Sequence, residues 1–148
     1  MIQFNYNDGG RSDAGYKGNA GDCVVRSIAI VTGKPYKEVY DALNILSETE
    51  RIGKRKRTKS NSRTGVHRVT YDKYLKSLGY EWIPTMTIGS GCKIHLRHTE
   101  LPKGKLIVRV SEHMTTMIDG VINDVYDCSR GGRRCVYGYY KKTLADSI

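Results

Sequence analysis

The period of the hydrophobic pattern changes once along this chain, at Tyr80, and that switch restricts the fold more than any other feature. Before it, apolar residues recur at three and four. In DCVVRSIAIVTG, Val24, Ser27, Ile28 and Val31 share one helical face, with Asp22 the expected cap and Gly33 the expected stop. Pro35 opens a second helix, PYKEVYDALNILSE, which repeats Val39, Leu43 and Leu46. A third, TYDKYLKSLG, is expected from Thr70 to Gly79, with Lys73 where a capping box wants an acid or Gln. Beyond Tyr80 the pattern alternates with period two. Strands are expected in EWIPTMTI and over 106–110, 113–118 and 121–126, and Asp119-Gly120 supplies the two-residue turn that type I′ hairpins favour. Helices followed by an antiparallel sheet make the expected class α+β, in one domain over 1–148. The polar, glycine-rich first twenty-one residues read as an arm or loop over the surface.

Composition removes whole classes. No apolar stretch is long enough to span a bilayer. The N-terminus lacks a basic region followed by an apolar one, so no secretory signal is expected. Four cysteines in such a chain are expected to be reduced thiols, which places it in the cytoplasm. The net charge of +10 is local: residues 51–63 hold Arg51, Lys54, Arg55, Lys56, Arg57, Lys59 and Arg63 and no acid. With almost no apolar residues, 51–65 is expected to be a mobile loop. Such a block attracts polyanions or acidic proteins. The tyrosines, Tyr137, Tyr139 and Tyr140 among them, offer stacking partners for bases or one strand's packing residues.

One constellation carries chemistry. Cys23 opens the first helix, where unpaired N–H groups and the positive dipole end favour a thiolate. A nucleophilic cysteine also needs an imidazole. If Asp119-Gly120 is a two-residue turn, Ile118 faces Val121, Thr115 faces Asp124 and His113 faces Tyr126. His113 and Asp124 are then diagonal neighbours on one face, and the acid can orient and charge the imidazole. A shift of one residue in register puts Asp127 there instead.

A Cys opening a buried helix, a His on a strand, and an acid on the next strand resemble papain-like cysteine peptidases in chain order. GDCVVRSIAIVTGKPYKEVYDAL looks like the nucleophile helix, and GKLIVRVSEHMTTMIDGVINDVYDC like the strands of the second and third residues. Small papain-fold proteins of phages and bacteria have a similar His-x-x-x-x-x-Asp-Gly before Asp-x-aromatic-Asp, which favours Asp124 over Asp127. The resemblance implies a papain-like fold and a Cys23–His113–Asp124 hydrolase of peptide, isopeptide or amide bonds. It also implies a thioester intermediate, a peptide or protein substrate and no cofactor; for a phage-encoded chain, the host cytoplasm. The sequence departs from the family six residues before the nucleophile, where Lys17 replaces the usual oxyanion-hole Gln. Asn19 is the nearest amide that can substitute, together with the Cys23 N–H. The rival reading is a binding protein of the same fold whose basic loop takes nucleic acid or an acidic host protein.

Cys92, His95 and His98 suggest zinc by residue type, but their spacing with Cys128 and Cys135 fits no compact zinc motif, and no metal is expected. Cys128 and Cys135 flank a Gly-Gly turn and are placed to meet across a hairpin.

Overall fold

The computed structural model describes residues 3–18, 20–54, 58–87 and 89–143. The chain order is β1 (Gln3–Tyr6), α1 (Cys23–Thr32), α2 (Tyr36–Ser47), α3 (Arg68–Ser77), β2 (Tyr80–Pro84), β3 (Lys105–Val110), β4 (His113–Ile118), β5 (Val121–Asp124) and β6 (Val136–Lys142). The protein is α+β, with a six-stranded open sheet in the order β1-β5-β4-β3-β6-β2. No helix among the described residues is long and apolar enough to cross a membrane.

Alternation along the strands gives the sheet two apolar faces. Ile107, Met114 and Tyr140 pack with Val25, Ile28, Val39, Leu43, Tyr71 and Leu75 of the three helices. Val108, Val110, Met117, Ile122 and Val136 face the other way, against Leu96 and Leu101. Helix α1 is buried along most of its length, sandwiched between sheet and α2. It ends where expected: Gly33 adopts φ 75° and returns its N–H to the Ala29 carbonyl. The β4–β5 hairpin has the expected register, Ile118 opposite Val121, and both turn residues have positive φ, Asp119 at 47° and Gly120 at 83°.

Five expectations need correction. The sheet is mixed, because β1 pairs in parallel with β5. All four β1 residues are exposed; Phe4 and Tyr6 alternate with Gln3 and Asn5, a short period-two signal overshadowed by the polar, glycine-rich stretch that follows. Helix α3 starts two residues early, at Arg68, because Thr70 spends its hydroxyl on Glu50 instead of capping. Strand β5 stops at Asp124, whose own carboxylate takes the Val125 N–H and turns the chain.

The fourth correction concerns 51–65. Its second half is anchored: Ser60 and Ser62 are buried, with their N–H groups on Glu50 at 2.6 Å and Asn44 at 2.8 Å. Asn61 and Gly65 bridge, and the Arg63 carbonyl accepts from Gly21 N–H at 2.7 Å. Counting apolar residues was blind to these hydrogen bonds. Arg55, Lys56 and Arg57 lie outside the described residues.

The fifth concerns the thiols. Cys92 is bonded to Cys135, leaving Cys23 and Cys128 free. The bridge sits where the 92–96 segment runs beside the start of β6: His95 bridges Cys135, the Leu96 N–H donates to the Arg134 carbonyl and the Val136 N–H to the Ile94 carbonyl. Cys128, placed by its sequence opposite Cys135, is buried on the sheet instead.

Candidate active site

Three elements end at one place. Helix α1 begins with Cys23, β4 begins with His113 and β5 ends with Asp124. The β4–β5 register brings Thr115 and Asp124 together, and Thr115 Oγ1 donates to Asp124 Oδ2 at 2.7 Å. His113 Nε2 lies 2.8 Å from the same oxygen. Tyr126 stacks obliquely on the imidazole, with ring centroids 5.3 Å apart. The sequence-derived pairing of His113 with Asp124 and Tyr126 is therefore realised, and Asp124 rather than Asp127 is the acid. Asp127 instead caps the next turn, accepting the Ser129 N–H at 2.9 Å.

Cys23 completes the cluster: it lines the same cleft as His113, whose imidazole acts on the thiol. With Nε2 committed to Asp124, Nδ1 is the ring nitrogen left for the thiol. Burial raises the Cys23 thiol, but the hydrogen bond and charge of His113, the Met114 N–H and the Arg26 charge outweigh it. The thiol is left below its ordinary value, as a nucleophile requires. Burial also opposes charge on His113, and its bonds to Asp124, Cys128 and Cys23 reverse that effect and raise it. Asp124 is lowered despite burial, by His113, Thr115 and the Val125 N–H. The three groups push one another toward a thiolate, an imidazolium and a carboxylate.

The helix start is organised differently from expectation. Asp22 stands at the cap position but makes no side-chain cap bond. Its buried carboxylate takes the Tyr36 hydroxyl at 2.5 Å, Arg26 at 2.6 Å and Arg11 at 3.1 Å. Two arginines and a phenol outcompete the helix amides. The first-turn N–H groups, including that of Cys23, are thereby free of a side-chain cap and point toward the cleft end of α1. Arg26 also reaches Asp124 at 3.7 Å, tying helix to hairpin.

The cleft holding Cys23 and His113 has a volume of about 480 Å³. Gly21, Thr64, Gly65 and Val66 line one side, and Arg109, Glu112, Val125 and Tyr126 others. Asn19 lies outside the described residues. Lys17 is exposed, and its carbonyl accepts from Arg11 at 3.2 Å and from Arg63 at 3.3 Å.

Three participants were missed from sequence. Arg26 is an i,i+4 partner of Asp22, a spacing visible in the chain. Arg109 is a cation on the core-facing side of the apolar strand KLIVRV. Cys128 carried no signal: its Sγ lies 3.9 Å from Asp124 Oδ2 through the fold of the 125–128 turn. Donor atoms of His113, Asp124 and Cys128 all lie within 4.8 Å, a set zinc would accept by type. Tetrahedral ligands at zinc distances stand about 3.3 Å apart, so binding there would require breaking the 2.8 Å His113–Asp124 bond. The other suspected donors do not gather: Cys92 is bonded to Cys135, and His95 pairs with Glu100 at 3.2 Å.

The basic residues form two groups rather than one. Arg51, Lys54 and Lys59 are exposed near the end of α2, and Arg63 is exposed with its guanidinium on the Lys17 carbonyl. Lys59 is within 3.3 Å of Glu48. A second cleft of about 440 Å³ gathers Lys103, Lys105, Lys141 and Lys142 beside Tyr80 and Tyr139. The positive charge is thus not confined to the 51–63 segment.

No family model, curated protein or solved structure matches the chain.

Proposed function

We propose that this chain is a papain-like cysteine hydrolase acting on peptide, isopeptide or related amide bonds. The observation that carries the reading is one cleft lined by both Cys23 and His113, with His113 hydrogen-bonded to Asp124 behind it and the thiol held below its ordinary value by the imidazole. Cys23 Sγ attacks the carbonyl carbon, and the C=O electron pair moves onto oxygen. The Cys23 N–H at the uncapped start of α1 stabilises that oxyanion, with Asn19 the candidate second donor. His113 then passes its proton to the leaving amine as the C–N bond breaks, giving a thioester. In the second half His113 takes a proton from water, which attacks the thioester and releases the acid and the thiolate. Asp124 holds the imidazole in one orientation throughout. The chain order and the Asp119-Gly120 hairpin resemble those of the small papain-fold proteins of phages and bacteria, which supports this reading.

The test is the alkylation rate of Cys23 by iodoacetamide across about pH 4–9, read by peptide mass spectrometry. Expected is selective reaction below about pH 7 that His113→Ala abolishes. Titration as an ordinary thiol near about 8.5 overturns the proposal.

A second reading is favoured by one observation, the four lysines around the second cleft together with the basic 51–63 segment. On that reading the protein binds nucleic acid or an acidic protein partner through its cations. Cys23→Ala leaves such a protein's effect intact, whereas neutralising residues 54–57 and the cleft lysines removes it and flattens the salt dependence of binding.

A further inference from the structure

Among the charged side chains lining the Cys23 cleft, most are already used. Arg26 is held by Asp22 and Asp124, and Asp22 is shared by Arg26, Arg11 and Tyr36. Arg109 is different. Its Nη1 donates to the Tyr71 hydroxyl at 3.1 Å, and no carboxylate among the described residues pairs with it. The half-buried cation stands on β3 between Met114 on one neighbouring strand and Gly138 on the other. Gly138 has no side chain of its own, and the Trp82 ring stands over it. The β3–β6 register shifts between Arg109 and Val110, an irregularity that re-aims side chains next to functional sites. The Tyr71 hydroxyl beside it feels the charge of both Arg109 and Cys23, and Arg109 and Cys23 line the same cleft. The remaining charge, Glu112, is exposed on the turn before His113 and makes no ion pair among the described residues.

A half-buried arginine that lacks a carboxylate is an incomplete pair. Its planar fork of N–H donors suits a carboxylate better than any other group a peptide offers. We infer that Arg109 anchors a carboxylate of the substrate, an acidic side chain or a free C-terminus close to the scissile bond, in the cleft that holds Cys23. Glu112, at the outer rim, disfavours a second acid farther along the bound chain. The inference rests on the hydrolase reading and adds substrate charge to it.

The test needs no identified substrate. Iodoacetate and iodoacetamide alkylate Cys23 by the same step, in which an S–C bond forms and iodide leaves, and differ in one negative charge. The ratio of their rate constants at Cys23 is measured in the full chain and in Arg109→Gln and Arg109→Lys, with circular dichroism melts confirming that both variants fold. The expected result is a ratio about tenfold lower in Arg109→Gln and largely restored in Arg109→Lys, with the difference shrinking in high salt. An unchanged ratio in folded Arg109→Gln overturns the inference while leaving the nucleophile intact. Failure of Cys23 to react selectively with either reagent in the unmodified chain overturns the hydrolase reading, and the inference falls with it.

Discussion

Asp124 is crowded by donors and a cation, and that crowding explains how a buried carboxylate stays charged. His113, Thr115, the Val125 N–H and, at 3.7 Å, Arg26 surround it. Its pKa is lowered, so its contribution to stability is complete above the unfolded value of about 3.9 and is lost as pH falls through the native one. His113 has the opposite sign. Its pKa is raised, so its contribution is full below about 6.5 and is lost as pH climbs through the native value. Both contributions are present together between about 4 and 6.5. Asp124→Asn is expected to cost about 3 kcal/mol in that window, because it leaves His113 charged and half-satisfied. Thermal melts between pH 2 and 7 check this: the variant's melting temperature should vary less with acid than that of the unmodified chain. An equal slope in both would show that Asp124 does not titrate with folding.

At the level of elements, the β2–β6 pairing depends on one absent side chain. A Cβ at Gly138 would stand 2.4 Å from the Trp82 ring and 2.8 Å from the Ile83 carbonyl oxygen. The ring could swing away, but the carbonyl belongs to the paired strand. Gly138→Ala is therefore expected to destabilise by about 2–3 kcal/mol. Trp82 is the only tryptophan, so its fluorescence during denaturant unfolding reports the loss directly. The Asp119-Gly120 hairpin makes a parallel case. Gly120 has φ 83° and a Cβ there would lie 2.8 Å from His98 Cβ. Gly120→Ala is expected to cost at least about 1 kcal/mol and, by loosening the β4–β5 register, to lower the alkylation rate of Cys23 as well.

Across the whole molecule, one covalent link ties the layer opposite the helices to the sheet. The Cys92–Cys135 bond closes a separation of 43 residues, which in the chain-entropy account is worth up to about 4 kcal/mol. Replacing both cysteines with serine should lower the denaturation midpoint by an equivalent of about 2–4 kcal/mol. Cys23 alkylation at neutral pH should survive, since neither cysteine of that bond lines the Cys23 cleft. Loss of Cys23 reactivity in the folded double variant would mean instead that the two layers are coupled.

Local periodicity determined the helices, the later strands and the Asp119-Gly120 turn. Because side-chain direction follows from backbone period, the turn then placed Thr115, Asp124 and His113 on one face. Cys23 at a helix start was legible for the same reason. What the sequence could not carry was anything set by hydrogen bonds or charges between distant segments. An exposed β1 pairs in parallel with β5 through its backbone and the Asn5–Asn123 side-chain bond, and a serine-rich stretch is pinned by Glu50 and Asn44. Cys135 meets Cys92 rather than Cys128, while Cys128 turns inward beside Asp124. Arg109 reads as one charge in an apolar strand until the sheet puts it in the cleft of Cys23. Periodicity is a property of neighbours in the chain, whereas pairing among polar groups is decided only when the packed core brings remote segments within about 3 Å.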